Sequence, residues 1–526
     1  MTANLTSMRP LRLAAAGAVL ALGLTIAPSA AAPAAAPKPV GSPAADCRAR
    51  IAGLDLQTVT VEQLQATMKT GRLSSRTLTQ AYVTRIKAYD KATNAVRVLS
   101  PTALAEADRL DRERRAGKVR GPLHGVPVLL KDNIGTRTVP TTAGSIALEG
   151  NVPKNEAFVT QRLRAAGAVV LGKTNLSEFA NWVSLGMPNG YSSLGGQVNN
   201  AYDGGDPSGS SAGSGVAGSM AYAAATLGSE TSGSILSPSD VNGLVGVKPT
   251  HGLVSGAGVI PLSHSFDVVG PMTRNVTDAA AVLTAIAGPD PRDPFTKATK
   301  PADYLKGLKG ASLKGVRLGY ASGAERDPLF AAALESMKAL GAVLVPGGDE
   351  YTALSFTGLT ELSEIPNEFK TGLNDYLAAE AGPLKSGVKT LSDIIAFNEK
   401  NPDKVKYGQN LLQASNTQPG VYPATDGAVA VTRASSRAAI EGVLLADDLD
   451  AILGRGPAYA NVGAAAGYPT VIVPNGTVND TRADGLSFMG TAFDEADLLR
   501  YASAYEKATQ RRLPPTVANP ELLVGC

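Results

Sequence analysis

Between Asp203 and Gly258 the chain reads DGGDPSGSSAGSGVAGSMAYAAATLGSETSGSILSPSDVNGLVGVKPTHGLVSGAG, and no other stretch restricts the fold as strongly. Glycine and serine at this density often mark a flexible linker. The middle of this one, Ser214 to Gly228, is alanine-rich and apolar enough to predict a buried helix, so its serines flank packed structure. Serine-rich turns in which backbone N–H groups converge are what binding a developing oxyanion requires. Two short patterns in the stretch fail on context. Gly213-x-Gly215-x-x-Gly218 has the glycine spacing of a dinucleotide-binding turn, but a loop precedes it where a strand is needed. Gly209-x-Ser211-x-Gly213 has the spacing of a hydrolase nucleophile elbow, which needs a histidine late in the chain. The histidines are His124, His251 and His264, so a Ser-His-Asp triad in that order cannot be completed.

Outside this centre the apolar pattern switches between helical and strand-like periods. Thr60 and Gln63 make a capping box ahead of Val61, Leu64 and Met68, and Gly71 stops that helix. A second helix, capped by Ser74 or Ser75, carries Leu78, Tyr82, Ile86 and Tyr89 on one face, and Leu104 to Arg115 is a third. Val126 to Leu130 reads as a buried strand ending at Lys131. Helices near 155–166, from Thr277 and after Asp327-Pro328 then alternate with strands at 168–171, 316–320, 342–345, 470–473 and 486–489, and the last helix carries Leu498 to Tyr505. This alternation predicts an α/β fold: a single large domain with a mixed, mostly parallel twisted sheet covered by helices on both faces. The domain is expected to span 51–526. Within it the polar, mostly helical segment of about 351–424 reads as an insertion that shapes a substrate pocket.

Residues 1–32 read as a secretory signal peptide. Arg9 and Arg12 precede an apolar stretch, Leu13 to Ile26, and the small residues Ser29-Ala30-Ala31-Ala32 follow. The stretch is shorter than the roughly 20 residues that span a bilayer, so a cleaved signal is expected rather than an anchor. The alanine- and proline-rich residues 33–50 should be a flexible leader. Export predicts an extracellular or cell-envelope protein with no membrane attachment after cleavage, and in an oxidising compartment a disulfide between Cys47 and Cys526 is favoured over two free thiols. The net charge is +3 with opposite charges interleaved, which excludes nucleic acid as an expected partner. Three histidines and two cysteines supply too few ligands for a multi-histidine centre, a zinc module or an iron–sulfur cluster, so no metal or cofactor is expected.

Four stretches carry a resemblance: GPLHGVPVLLKDNI at 121–134, GKTNLSEFANW at 172–182, SGSSAGSG at 208–215, and GSETSGSI with GLVGVKPTHGLVS within 228–255. They are similar to the amidase signature family, serine hydrolases of carboxamide bonds that use a Ser–cis-Ser–Lys triad. The likeness runs on to AYEKATQRRLPP near the end of the chain. It implies that Lys131 is the family lysine, that Ser210 is the serine after the cis bond, and that Ser234, 24 residues later, is the nucleophile. It also implies that Thr231, Ser232 and Gly233, with Ser234, supply the backbone N–H groups of an oxyanion hole. The chemistry agrees: a serine needs a neighbouring base, and without histidine a lysine serves if burial lowers its pKa. The sequence departs from the family at Ser208-Gly209, where two glycines are usual, at Glu230 and Ser232 in the oxyanion turn, and at Leu236, where arginine is common. These positions bear on substrate choice rather than on the triad.

The function implied is a secreted amidase that forms an acyl-enzyme and releases ammonia or an amine from a small-molecule or peptide amide, with peptide C-terminal amides among the expected substrates. The alternatives are an amidase or esterase for aryl amides or esters, and a non-catalytic exported binding protein on the same fold. The glutaminase of a transamidosome, which works with ATP and charged tRNA in the cytoplasm, is opposed by the export signal.

Overall fold

Thr60 opens helix α1 (Val61–Lys69) through the predicted capping box, its hydroxyl accepting the Gln63 N–H while the Gln63 side chain accepts its own. In this computed structural model residues 49–299, 302–357, 364–420 and 427–522 are described. The expected signal peptide, nearly all of the leader, and both Cys47 and Cys526 lie outside the described residues.

A small ribbon of β1 (Arg50–Ile51) and β2 (Leu54–Asp55) precedes α1. Helix α2 (Ser75–Thr93) follows, capped by Ser74 and buried along Leu78, Tyr82, Ile86 and Tyr89. Next come β3 (Val96–Leu99), α3 (Ala103–Arg115), β4 (Pro127–Lys131), α4 (Phe158–Ala165) and β5 (Val169–Thr174). A second ribbon, β6 (Tyr191–Ser192) with β7 (Gly196–Gln197), leads to α5 (Ala212–Ser219), β8 (Ala225–Glu230), α6 (Leu236–Val241), β9 (Val245–Lys248), β10 (Val268–Thr273) and α7 (Val276–Ile286). The C-terminal half contains β11 (Arg317–Ala321), α8 (Pro328–Ala339), β12 (Val343–Gly347), α9 (Asp349–Phe356), α10 (Ile365–Ala379), α11 (Leu391–Glu399) and α12 (Asn410–Asn416). It closes with α13 (Ala428–Ala446), β13 (Ala451–Arg455), α14 (Ala460–Ala466), β14 (Thr470–Val478), β15 (Arg482–Met489), α15 (Glu495–Thr509) and a short α16 (Pro515–Ala518).

Eleven strands form one sheet in the order β12-β11-β13-β15-β14-β9-β10-β8-β4-β5-β3. The sheet is mixed, as expected. Only four of its neighbouring pairs are parallel, β12–β11, β11–β13, β8–β4 and β4–β5, a smaller share than the alternation of helices and strands suggests. One reason is local: three residues join β14 to β15, too few for the crossover that a parallel pair needs. Helices flank the sheet. α5 and α6 pack on each other and on β8, β9 and β14, while α7 touches α1, α4 and α15 and packs on β8, β9 and β10.

The helix predicted over Ser214–Gly228 is shorter than its composition suggests. α5 ends at Ser219, the chain turns through Ala221 (φ 53°), and residues 225–230 return as β8. Small apolar residues suit a buried helix and a buried strand equally, and here the slot between β10 and β4 pairs the backbone on both sides. The glycines of the discarded dinucleotide pattern have a packing role: a Cβ on Gly213 would lie 2.3 Å from the Asn175 carbonyl oxygen and 2.5 Å from that of Ala95.

The 351–424 region holds α10, α11, α12 and most of α9, joined by loops, and it shares an apolar cluster with the main fold. Phe369, Leu373 and Tyr376 of α10 and Ile394 of α11 pack with Leu148, Phe179, Val183 and Ile260, and the Phe179 and Phe369 rings meet edge to face at 5.7 Å.

Candidate active site

Lys131, Thr174 and Glu230 are the last residues of β4, β5 and β8, three neighbouring parallel strands whose C-terminal ends therefore open on one edge of the sheet. Open α/β sheets place their ligands at such an edge. The apolar run Pro127-Val128-Leu129-Leu130 is wholly buried between β5 and β8, and it carries Lys131 with it to 0% exposure. The Lys131 Nζ donates to Ser210 Oγ at 2.8 Å, to the Ser229 carbonyl at 3.1 Å and to Ser229 Oγ at 3.0 Å. Asn133 Nδ2 donates to the same Ser229 hydroxyl at 2.9 Å. Burial pushes the pKa of Lys131 down to about 7, against the opposing pull of the Asp267 and Glu230 carboxylates. Neighbouring Asp132 is not part of this cluster, since it turns away to Arg97, Lys173 and Thr142.

Ser210 lies just before α5, and the Gly209–Ser210 peptide is cis. Its carbonyl accepts the Ser177 N–H at 3.0 Å, which ties this turn to the chain leaving β5. Ser211 Oγ donates to the Ser229 carbonyl at 3.0 Å and joins the turn to β8.

Ser234 lies in the tight turn between β8 and α6, where Gly233 has φ 79°. Glu230 builds that turn: its Oε2 accepts the N–H groups of Ile235 (2.8 Å) and Leu236 (3.0 Å) at the start of α6. Two side-chain hydrogen bonds of 2.6 Å steady the rest, from Thr231 Oγ1 to Asp267 Oδ1 and from Ser232 Oγ to Asn461 Oδ1. The backbone N–H groups of Thr231, Ser232, Gly233 and Ser234 have no acceptor among the described residues, so four adjacent donors are open. The Ser234 hydroxyl likewise has no partner there, and Ser234 is 8% exposed.

The structure thus joins Lys131 directly to Ser210 and places Ser234 at the end of the strand that carries Ser229. It adds Ser229, Asn133, Asp267 and Asn461, none of which the sequence marks out. Ser229 and Asn133 adjoin recognised residues, but Asp267 and Asn461 come from β10's leading loop and from α14, and no local pattern announces them. A cavity of about 280 Å³ borders the cluster and is lined by Ser229, Asp267, Val268, His264, Asp375 and Tyr376; Ser210 and Ser234 do not line it. Chemically, the arrangement offers a depressed-pKa amine, a bridging hydroxyl, an unengaged hydroxyl and a row of N–H donors, the parts of an acyl-transfer site.

Comparison with known proteins bears on the fold and the family. Residues 77–402 match the family model described as Amidase. The peptide amidase of Stenotrophomonas maltophilia has a similar structure, with a TM-score of 0.80 and 42% identity, covering 87% of this chain and 98% of that one. An amidase family protein of Bacillus anthracis is similar too, with a TM-score of 0.82 and 34% identity, covering 88% of this chain and 92% of that one. The "Probable amidase" of Arabidopsis thaliana is 38% identical over 474 residues, which is 88% of this chain and 92% of the relative. With the family model matching more than half of its length and relatives aligned along most of the rest, the chain belongs to the amidase signature family of amidohydrolases.

Proposed function

We propose that this amidohydrolase is a secreted amidase of peptide C-terminal amides, with Ser234 as nucleophile, Ser210 as proton relay and Lys131 as base. The observation that carries the reading is the wholly buried Lys131 amine, 2.8 Å from Ser210 and depressed to about 7, at the strand edge where the open N–H groups of 231–234 lie. Ser234 attacks the carbonyl carbon while its proton passes to Ser210 and that of Ser210 to neutral Lys131. The N–H groups of 231–234 hold the developing oxyanion. The proton then returns through Ser210 to the leaving nitrogen, the C–N bond breaks, and water hydrolyses the acyl-enzyme by the same relay. Hydrogen bonds of this kind tighten as substrate docks, which fits the unengaged Ser234 hydroxyl. The choice of peptide amides over small or aryl amides is supported by the 42% identity to a peptide amidase. Export is supported by the pattern of residues 1–32.

Purified mature protein should release ammonia from N-acylated dipeptide amides faster than from small aliphatic or aryl amides, read as kcat/KM. A preference for aliphatic or aryl amides would overturn the substrate assignment. The pH dependence is a second check. Activity needs neutral Lys131, so kcat/KM should rise with pH to a plateau with its midpoint near 7, whereas an unburied lysine would put that limb near 10.4. A midpoint near 10 would remove Lys131 as the depressed base.

A further inference from the structure

The wall beside Ser210 holds a buried acceptor that the reaction above does not use. Residues 177–189 run back along Gly209. A Cβ on Gly209 would come within 2.6 Å of Ser177 Oγ, 2.9 Å of Asn189 Oδ1 and 3.0 Å of Asn181 Nδ2, so these side chains rest on the residue that precedes Ser210. Phe179, Ala180 and Asn181 are successively left-handed, with φ of 45°, 58° and 72°, a run that residues other than glycine seldom adopt. The aromatic packing of Phe179 on Phe369 of α10, and the 2.9 Å bond from Trp182 Nε1 to Ser415 Oγ, hold the run in place.

A chain of amides sets which way Asn181 faces. Asp206 Oδ2 takes the Asn189 Nδ2 at 3.2 Å, and a carboxylate can only accept, so Asn189 turns its amino group to Asp206 and its oxygen to Asn181. Asn181 Nδ2 donates to that oxygen at 3.0 Å. The other end of the Asn181 amide, Oδ1, is buried and has no hydrogen-bond partner among the described residues. A buried carbonyl left unpaired is costly, so this oxygen calls for a partner that a bound molecule can supply.

We propose that Asn181 Oδ1 accepts a hydrogen from the scissile amide nitrogen and thereby selects amides over esters of the same acyl group. This rests on the proposed function, in which the leaving nitrogen sits within reach of Ser210 to take its proton. That nitrogen keeps N–H hydrogens throughout the step, and the unpartnered oxygen belongs to the side chain that rests on Gly209, next to Ser210. An ester oxygen has none to give and would set a lone pair against Oδ1.

The test compares kcat/KM for a peptide amide and the methyl ester of the same peptide, with fluorophosphonate labelling of Ser234 reporting an intact site. Asn181→Gly removes the acceptor and accepts the left-handed backbone. Asp206→Asn acts from the exposed end of the chain: Asp206 Oδ1 holds the Ser208 N–H at 2.8 Å, so the new amino group replaces Oδ2 and faces Asn189. Asn189 must then turn over, Asn181 follows, and the buried acceptor becomes a donor. Both variants should lose about tenfold on the amide and less than about threefold on the ester. Equal losses on both substrates, or an unchanged amide-to-ester ratio in a variant that still labels, would overturn the inference. Should Asn181→Gly fail to label, the ratio in Asp206→Asn decides alone. A wild-type protein that cleaves neither substrate and takes no label overturns the proposed function itself, a result distinct from any change of ratio.

Discussion

Ser234→Ala should abolish amide turnover, lowering kcat by at least about 10⁴-fold, and should abolish labelling by a fluorophosphonate. The size of the effect follows from covalent catalysis: without the hydroxyl no acyl-enzyme forms, and only binding and the N–H groups of 231–234 are left to stabilise a direct attack by water. The fold should be unaffected, because the Ser234 hydroxyl has no partner among the described residues and its loss leaves no donor or acceptor stranded. Melting temperature and substrate KM should therefore stay near those of the parent. Labelling that persists in Ser234→Ala would move the nucleophile elsewhere, with Ser210 the first place to look.

Lys131→Met should lower kcat by about 10² to 10⁴-fold, the range associated with removing a positioned base. Methionine fills the same buried space without a charge, so the loss reads the proton relay rather than a cavity. Stability should move the other way. Lys131 has a folded pKa near 7, below its value of about 10.4 in an unfolded chain, so between those limits the unfolded chain binds more protons and the lysine destabilises the fold. That destabilisation is complete below about pH 7 and disappears as pH rises past about 10. Lys131→Met should accordingly melt higher than the parent at pH 6, with the gap closing toward pH 10. A variant that is both inactive and less stable at pH 6 would mean that Lys131 is a structural ion-pair partner.

Much of this was legible in the chain because burial and capping leave local marks. The Thr60 capping box, the Ser74 cap, the apolar run ending at Lys131 and the Asp327-Pro328 helix start all correspond to observed elements. The strand β8 was not legible: Ala-Thr-Leu-Gly-Ser-Glu follows an alanine-rich helix without a clear change of period, and only its two neighbours in the sheet make it a strand. Within the site, Lys131, Ser210, Ser234 and the 231–233 turn stand out through the family resemblance and through the lack of a usable histidine. The residues that fix their geometry do not. Asp267 reaches Thr231 across 36 positions and Asn461 reaches Ser232 across 229, and contacts at such separations have no periodic signature.

The path from Ser210 to Ser234 is a measuring device. α5 carries the chain away from the site, a turn at 220–224 reverses it and β8 brings it back, so both serines lie at the same edge of the sheet. Lengthening β8 by one residue would turn Ser229 to the opposite face and take its hydroxyl from Lys131. Lengthening α5 by a residue would swing Ser210 about 100° around the helix axis. An insertion within α5 or β8 would therefore displace a serine from the edge, whereas the turn at 220–224 lies at the far end of both elements, away from the site, and is where the chain can change length without disturbing the chemistry.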